Sequence, residues 1–308
     1  MKFLNLRLSL LAFGTVAALV STSAHAVWVF GNSTITGQTS ATYSATAPST
    51  NGDPSVTLTG FSATNTVNSS GTITGVTGNW TQQKLSSWSG SGLGVVTGSE
   101  SSPDHAVDNS GSTEAVLLNF GTSNVALTSI GLGWISNGNY NTSGQLLSSS
   151  CSGTSGTNYS NCLNGGAVVN STIKADISLF RWVGAQGQTP PNLTSTSASS
   201  LTSSGWQLVS SYDMGVDQTA AYSNVNASGL TSSWWLISAY NSGLTGGATV
   251  GTNIDNGKDY FKLYAVAGNV VSGNTGGKLP EPATLALTSV ALLGVVGLRR
   301  RSKAKLAA

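Results

Sequence analysis

The chain has 308 residues, of which 39% are apolar, 7% aromatic and only 8% charged, and 38 are glycine. Eight Trp, eight Tyr and seven Phe supply large side chains for a packed core, which excludes a wholly solvated, disordered chain. The formal charge of +2 sits on the two ends; between Val27 and Leu279 six basic residues stand against ten acidic ones, about −4, so the clustered Lys and Arg that nucleic-acid binding requires are missing.

Residues 1–26 read as a secretory signal peptide with a helical apolar segment. Lys2 and Arg7 form a positive start, Leu8 to Val20 is mostly apolar, and Ala24-His25-Ala26 fits the small-x-small cleavage pattern. Cleavage after Ala26 starts the mature chain at Val27; cleavage after Ala24 is the alternative.

Residues 27–271 form one β-rich body. Helical periodicity is absent, and short β-branched and aromatic runs alternate with Gly, Ser, Asn and Thr. Strands are expected near residues 27–30, 55–62, 79–88, 93–97, 114–120, 125–135, 176–183, 205–212, 233–241 and 259–267. Residues 31–54 are polar, with room for a loose edge strand. Ile130, Leu132 and Trp134 are expected on one face with Gly131 and Gly133 on the other, and Phe261, Leu263 and Ala265 opposite Tyr260, Lys262 and Tyr264. About ten strands in one domain suit an all-β, two-sheet sandwich or jelly roll. Residues 136–174 and 184–204 are rich in Gly, Ser and Asn and read as surface excursions. Cys151 and Cys162, with ten residues between them, lie in the first; in an exported chain a disulfide is expected, with a metal pair as the rival.

Residues 272–279 are a polar linker. Pro280-Glu281-Pro282 follows, then an uncharged apolar stretch, 283–298, then Arg299-Arg300-Arg301 within a basic end, 299–305. As a helix the apolar stretch reaches ~24 Å, a short transmembrane span whose Arg cluster stays cytoplasmic. The two prolines hold an extended segment at the membrane surface, with Glu281 as a handle. This tail, 280–308, resembles the PEP-CTERM sorting signal of exported proteins from Gram-negative bacteria that make exopolysaccharide. The resemblance implies transient recognition by exosortase, a membrane-embedded enzyme, at Pro280, Glu281, Pro282 and Arg299 to Arg301. It implies removal of the tail and delivery from the inner membrane to the cell surface or medium.

The body is similar to the exosortase-dependent surface protein family between about residues 92 and 268. The resemblance is carried by Gly92-Leu93-Gly94-Val95, Pro103-Asp104-His105-Ala106-Val107-Asp108-Asn109, Val116 to Phe120, Gly133-Trp134, Gly205-Trp206, Ser233 to Ile237 and Asp259 to Leu263. It implies an exported surface protein with no assigned chemistry and no cofactor.

Without the signal peptide, His105 is the sole histidine, so a zinc site of several His is excluded and any Ser-His-Asp triad must use it. Ser102 is expected to cap a short helical turn through Pro103 and Asp104. Ala106 and Val107 then face the core, and residues 108–111 turn into the strand near Glu114. The rival is a calcium site from Asp104, Asp108, Asn109 and Glu114. Exposed tryptophans stack on sugars, which makes Trp80, Trp88, Trp182, Trp206, Trp234 and Trp235 candidates, the last two on opposite faces of one strand; tryptophan inside a strand is otherwise core. The expected function is that of a non-enzymatic surface or extracellular-matrix protein associated with exopolysaccharide. A carbohydrate-binding module or adhesin using Trp234 or Trp235 is the alternative, and a secreted hydrolase is the third reading.

Overall fold

The computed structural model describes residues 25–46, 52–69, 72–98, 105–136, 174–216, 221–245, 254 and 257–271. Ala24, Asp104, Cys151, Cys162, the expected signal and transmembrane helices, and the whole tail from Pro280 lie outside them. No helix among the described residues is long and apolar enough to cross a membrane.

The chain is all-β, and its strands are β1 (Ala26–Val29), β2 (Ser40–Tyr43), β3 (Val56–Val67), β4 (Ile73–Trp88), β5 (Gly92–Val96), β6 (Val107–Asp108), β7 (Ser112–Asn119), β8 (Asn124–Ser136), β9 (Lys174–Trp182), β10 (Trp206–Val216), β11 (Ala221–Asn224), β12 (Trp234–Ala239) and β13 (Tyr260–Val271). They form one large antiparallel sheet in the order β10-β9-β12-β7-β3-β4-β5-β13-β8-β11, with β1 and β6 on β13 and β2 on β3. Each of the ten expected strands is present. The additional β2, β6 and β11 are two to four residues long and owe their pairing to distant partners. Strand β4 turns the corner of the sheet, because its first part pairs with β3 and its last five residues with β5. The two ends of the order approach each other, where the Asn226 amide donates to the Tyr212 hydroxyl at 2.7 Å, so the sheet is nearly closed.

The interior is filled by alternate residues of every strand. Val56 and Leu58, Val116 and Leu118, Ile177 and Leu179, and Phe261 and Leu263 all point inward and are fully buried. Trp28 packs edge-on against Phe120, ring centroids 4.8 Å apart, and its indole N–H donates to the Pro54 carbonyl at 2.8 Å. Each such side chain contributes about 2–3 kcal/mol by leaving water.

The half of the sheet holding β3, β7, β12 and β9 is buried on both faces. Ala115, Leu117, Phe180 and Leu236 point outward into a second cluster with Trp80, Trp206, Leu193, Ala198 and Leu201. Double burial is why Ala115-Val116-Leu117-Leu118 and Trp235-Leu236-Ile237 read as unbroken apolar runs. The cover comes from three 3-10 turns, Leu193–Ser195, Ala198–Ser200 and Thr202–Ser204. Residues 184–204 are therefore a lid packed on the sheet in part, where a surface excursion was expected. Their three buried apolar side chains are the physical reason.

Ala26 opens β1 opposite Gly268 and is buried, while His25 Nδ1 lies 3.3 Å from the Thr128 hydroxyl. One further expectation changes. Trp134 does not share the inward face of Ile130 and Leu132. The β8–β13 register shifts between Lys262 and Leu263 and again before Ala265, so Ile135 turns inward and Trp134 outward beside Lys262.

Candidate functional site

The calcium candidates form a hydrogen-bonded latch. Asp108 sits in β6 and accepts from the Ser110 amide at 2.7 Å, which sets the expected turn into β7. Glu114 accepts from the Asp108 amide at 3.1 Å and the Thr97 hydroxyl at 3.0 Å. Asn109 is buried and points away from both, toward Asp259. Its side-chain amide lies 3.0 Å from the Asp259 carboxylate and 2.9 Å from the carbonyls of Tyr240 and Gly257, and its oxygen accepts from the Asp259 amide at 2.9 Å. Asp259 also accepts from the Asp176 amide at 2.8 Å. A parallel chain runs from the Asn241 amide to Thr113 at 2.7 Å, from Thr113 to Asn65 at 2.6 Å, and from Asn65 to the Asn109 carbonyl at 2.6 Å. Among the described residues no group of three or more His, Cys, Asp or Glu is arranged to hold a metal. Asp108, Asn109 and Glu114 thus spend these polar atoms on tying β6 and β7 to β3, to the ends of β5 and β12, and to the segment that leads into β13. At the end of the latch burial pushes the Tyr260 phenol up to about 12, with a hydrogen bond from Ser110 acting against it and the charges of Asp108 and Asp259 adding to it.

Of the paired candidates for a sugar platform, Trp235 is wholly buried in the main core, its indole N–H donating to Val125 and Ser232 carbonyls at 3.2 and 3.1 Å. Trp234 does face the other way, but that face carries the second cluster, against which it is half-buried. Trp235 is therefore core and offers no ring to a ligand, while Trp234 keeps part of its surface open beside the second cluster. Trp80 and Trp206 are core as well, and Trp182 packs edge-on to Trp206 at 6.0 Å.

The exposed rings lie on the other half of the barrel, across β4, β5, β13, β8 and β11. Trp88, at the end of β4, is 38% exposed, and Tyr222, on β11, is 64% exposed. Between them Lys262, Trp134 and Tyr264 are half-buried on the outer face. Three glycines set the orientation of the tyrosines. A Cβ at Gly131 would overlap the Tyr222 ring, and a Cβ at Gly31 or Gly133 would overlap the Tyr264 ring. Both rings therefore pass close over backbone that carries no Cβ. The two phenols are close enough that Tyr264 adds to the desolvation that raises the Tyr222 pKa. The Tyr264 hydroxyl donates to the Asn32 side chain at 3.2 Å.

At the opposite end of the row the Lys262 ammonium lies 3.9 Å from the centroid of Trp88 and 5.6 Å from that of Trp134. His105 stacks on Trp88 with centroids 4.9 Å apart and planes 15° apart. The backbone at His105 and Ala106 passes directly over Gly94, whose missing side chain makes room, and Val95 donates to the Ala106 carbonyl at 3.0 Å. His105 itself adopts φ 61°, the left-handed region. Its imidazole is thus a stacking neighbour of an exposed indole.

The sequence singled out Trp88 but missed Trp134, Tyr222 and Tyr264. The available signal was the pairing of Gly131-x-Gly133 with Tyr260-x-Lys262-x-Tyr264: bare backbone on one strand, aromatic rings on its neighbour. Chemically the row offers aromatic faces, a cation, and phenol and amide hydrogen-bonding groups, the set that stacks on and hydrogen-bonds a sugar ring. No protein-family model matches the chain, and no curated protein matches it.

Proposed function

We propose that this protein is an exported, non-enzymatic surface or matrix protein that holds polysaccharide on the outer face of β4, β5, β13, β8 and β11. The observation that carries the proposal is the outer-face row of aromatic rings, Tyr222 and Tyr264 resting over glycines beside Trp88 and Trp134, with Tyr222 and Trp88 exposed. Exposed aromatic surface of this kind on an otherwise polar barrel marks a binding face. In this reading the two halves of the sheet face each other as a sandwich, one covered outside and one open. The test is a titration of the full chain with exopolysaccharide from a producing bacterium, followed by tryptophan fluorescence. Quenching that Trp88→Ala and Tyr222→Ala each weaken supports the reading; unchanged fluorescence and mobility at saturating polysaccharide overturn it.

Delivery belongs to the same proposal. Pro280, Glu281, Pro282 and the cluster Arg299 to Arg301 support export and exosortase-dependent removal of the tail. The burial of Ala26 in β1 supports signal cleavage after Ala24 rather than after Ala26, so that His25 and Ala26 stay with the barrel. The intact mass of protein recovered from cells and medium tests both ends. Loss of the segment after Pro282, abolished by Glu281→Ala, supports sorting; a mass that retains 283–308 refutes it.

A further inference from the structure

Resting on the polysaccharide reading above, we propose that the ligand is an uncharged polysaccharide, stacked on Tyr222 and hydrogen-bonded by Asn224 and by the Tyr264–Asn32 pair. Two observations carry this. The first is which end of the aromatic row is open. At the Trp88 end the indole already carries the Lys262 ammonium, 3.9 Å from its centroid, and the His105 ring, 4.9 Å away. At the other end Tyr222 is 64% exposed, and what lies close under its ring is the bare backbone of Gly131. Val225 points into the core, so by the period of two Tyr222 and Asn224 share the outer face of β11, and both are exposed. From Tyr222 the face runs over Gly131 of β8 to Ala265 and Tyr264 of β13. Beyond them lies Asn32, exposed, whose side-chain oxygen accepts from the Tyr264 hydroxyl and whose amide N–H groups are left to donate. The path is about three interstrand steps, roughly 14 Å, at right angles to the strands, a length that takes linked rings of an extended chain.

The second observation is the charge of this face. Strands β8, β11 and β13 and residues 26–32 contain no acidic residue and a single basic one, Lys262. That ammonium is engaged at the far end of the row, over Trp88 and 5.6 Å from the centroid of Trp134. A ligand carboxylate seated beside Tyr222 would give up water and meet no cation, which costs free energy. A sugar hydroxyl seated there meets amides and a phenol, each able to donate and to accept, and it both donates and accepts in turn. The body as a whole is acidic, which works against a polyanion as well. The face is therefore matched to a chain whose polar groups are hydroxyls, with Tyr222 as the stacking ring and Asn224 and Asn32 as the side chains that read the hydroxyls on either side of it.

The experiment measures binding of the full chain to cello-oligosaccharides and to alginate oligosaccharides of matched lengths, from two to six residues, by calorimetry. For the native protein, affinity for the neutral series is expected to rise with length, to change less than about twofold between low and high salt, and to exceed affinity for the uronate series about tenfold. Tyr222→Ala is expected to lower neutral affinity about tenfold and Tyr222→Phe to keep it, while Asn224→Ala and Asn32→Ala each lower it about fivefold. Circular dichroism and melting temperature confirm that the variants fold. Equal or tighter binding of the uronate series, or a neutral affinity that falls with salt, overturns the uncharged assignment while the aromatic platform stands. Neutral binding that survives both Asn224→Ala and Asn32→Ala overturns their roles as hydrogen-bonding partners. Binding of neither series, or binding indifferent to Tyr222→Ala, overturns the platform reading itself.

Discussion

Replacing Asn109 by alanine tests the latch where it is densest. The side chain serves four buried groups: the carbonyls of Tyr240 and Gly257, the Asp259 carboxylate and the Asp259 amide, all within 3.0 Å. Alanine leaves the Asp259 carboxylate its bond from the Asp176 amide, and the other bond from the Asn109 backbone to the Asp259 carbonyl at 3.3 Å persists. Asn109 is 1% exposed, so bulk water does not replace the lost partners; one water entering the vacated space satisfies about two of the four groups. Two groups left dry at about 2 kcal/mol each give a loss of about 4 kcal/mol. For a domain of this size that corresponds to a fall in Tm of roughly 10 °C. Urea unfolding followed by tryptophan fluorescence, with calorimetry for Tm, reads the effect. A loss below about 1 kcal/mol would refute the reasoning, since it would mean that the network is hydrated and Asn109 is not the tie between β6, β12 and β13.

Gly94→Ala is expected to cost about 3 kcal/mol in the same assay, because its Cβ would meet the backbone of His105 and Ala106, which cannot rotate aside; Gly133→Ala, which also meets a backbone oxygen, that of Ser91, adds displacement of the Tyr264 ring and should weaken polysaccharide binding as well. Trp235→Ala is expected to cost about 4 kcal/mol through loss of core packing, whereas Trp88→Ala, at the exposed end of the row, should cost about 1 kcal/mol or less and show its effect in binding. Tyr260 should give an alkaline signature. Its folded pKa of about 12 lies above the ordinary 10.0, so the neutral phenol is favoured in the fold. That contribution, about 3 kcal/mol, is whole below pH ~10 and is lost as pH rises toward ~12. Tyr260→Phe should flatten the stability loss in that window, and a phenolate absorbance titration should show a late-ionising tyrosine in the native protein that Tyr260→Phe removes.

Strand positions were legible because alternation is a local property. Phe261 and Leu263 face inward against Lys262 and Tyr264 as their period of two requires, but the register shift after Leu263 puts Ala265 beside Gly131 on the outer face and turns Val266 inward in its place. The same rule misplaced Trp134, because a register shift against β13 is decided by the partner strand and leaves no mark in the sequence of β8 alone. The turn at residues 108–111 was legible from Asp-Asn-Ser-Gly, but the partner of Asn109 lies 150 residues away at Asp259, beyond any local pattern. β11 was missed for a related reason: Ala221–Asn224 is short and polar, and it is a strand only because β8 lies beside it. The lid was misread through composition. Residues 184–204 are mostly Ser, Thr and Gly, yet Leu193, Ala198 and Leu201 are spaced to drop onto one patch of sheet.

The two outer faces of the barrel received opposite treatment, and the difference argues for function on the open one. Over β7, β9 and β12 the chain places a lid, and large side chains such as Phe180 and Trp206 vanish beneath it. Over β13, β8 and β11 it places glycines at positions 131 and 133 and rests Tyr222 and Tyr264 on them, with Gly31 beneath Tyr264 as well. Packing requires Gly133 in any case, since a Cβ there would meet the Ser91 carbonyl oxygen as well as the Tyr264 ring. At Gly131 the group that a Cβ would meet is the Tyr222 ring, and at Gly31 it is the Tyr264 ring, so the space over these two glycines is given to the tyrosines. Tyr222 stays 64% exposed all the same, so its ring adds little to holding the sheet together; under the polysaccharide reading it is a ring offered to the ligand.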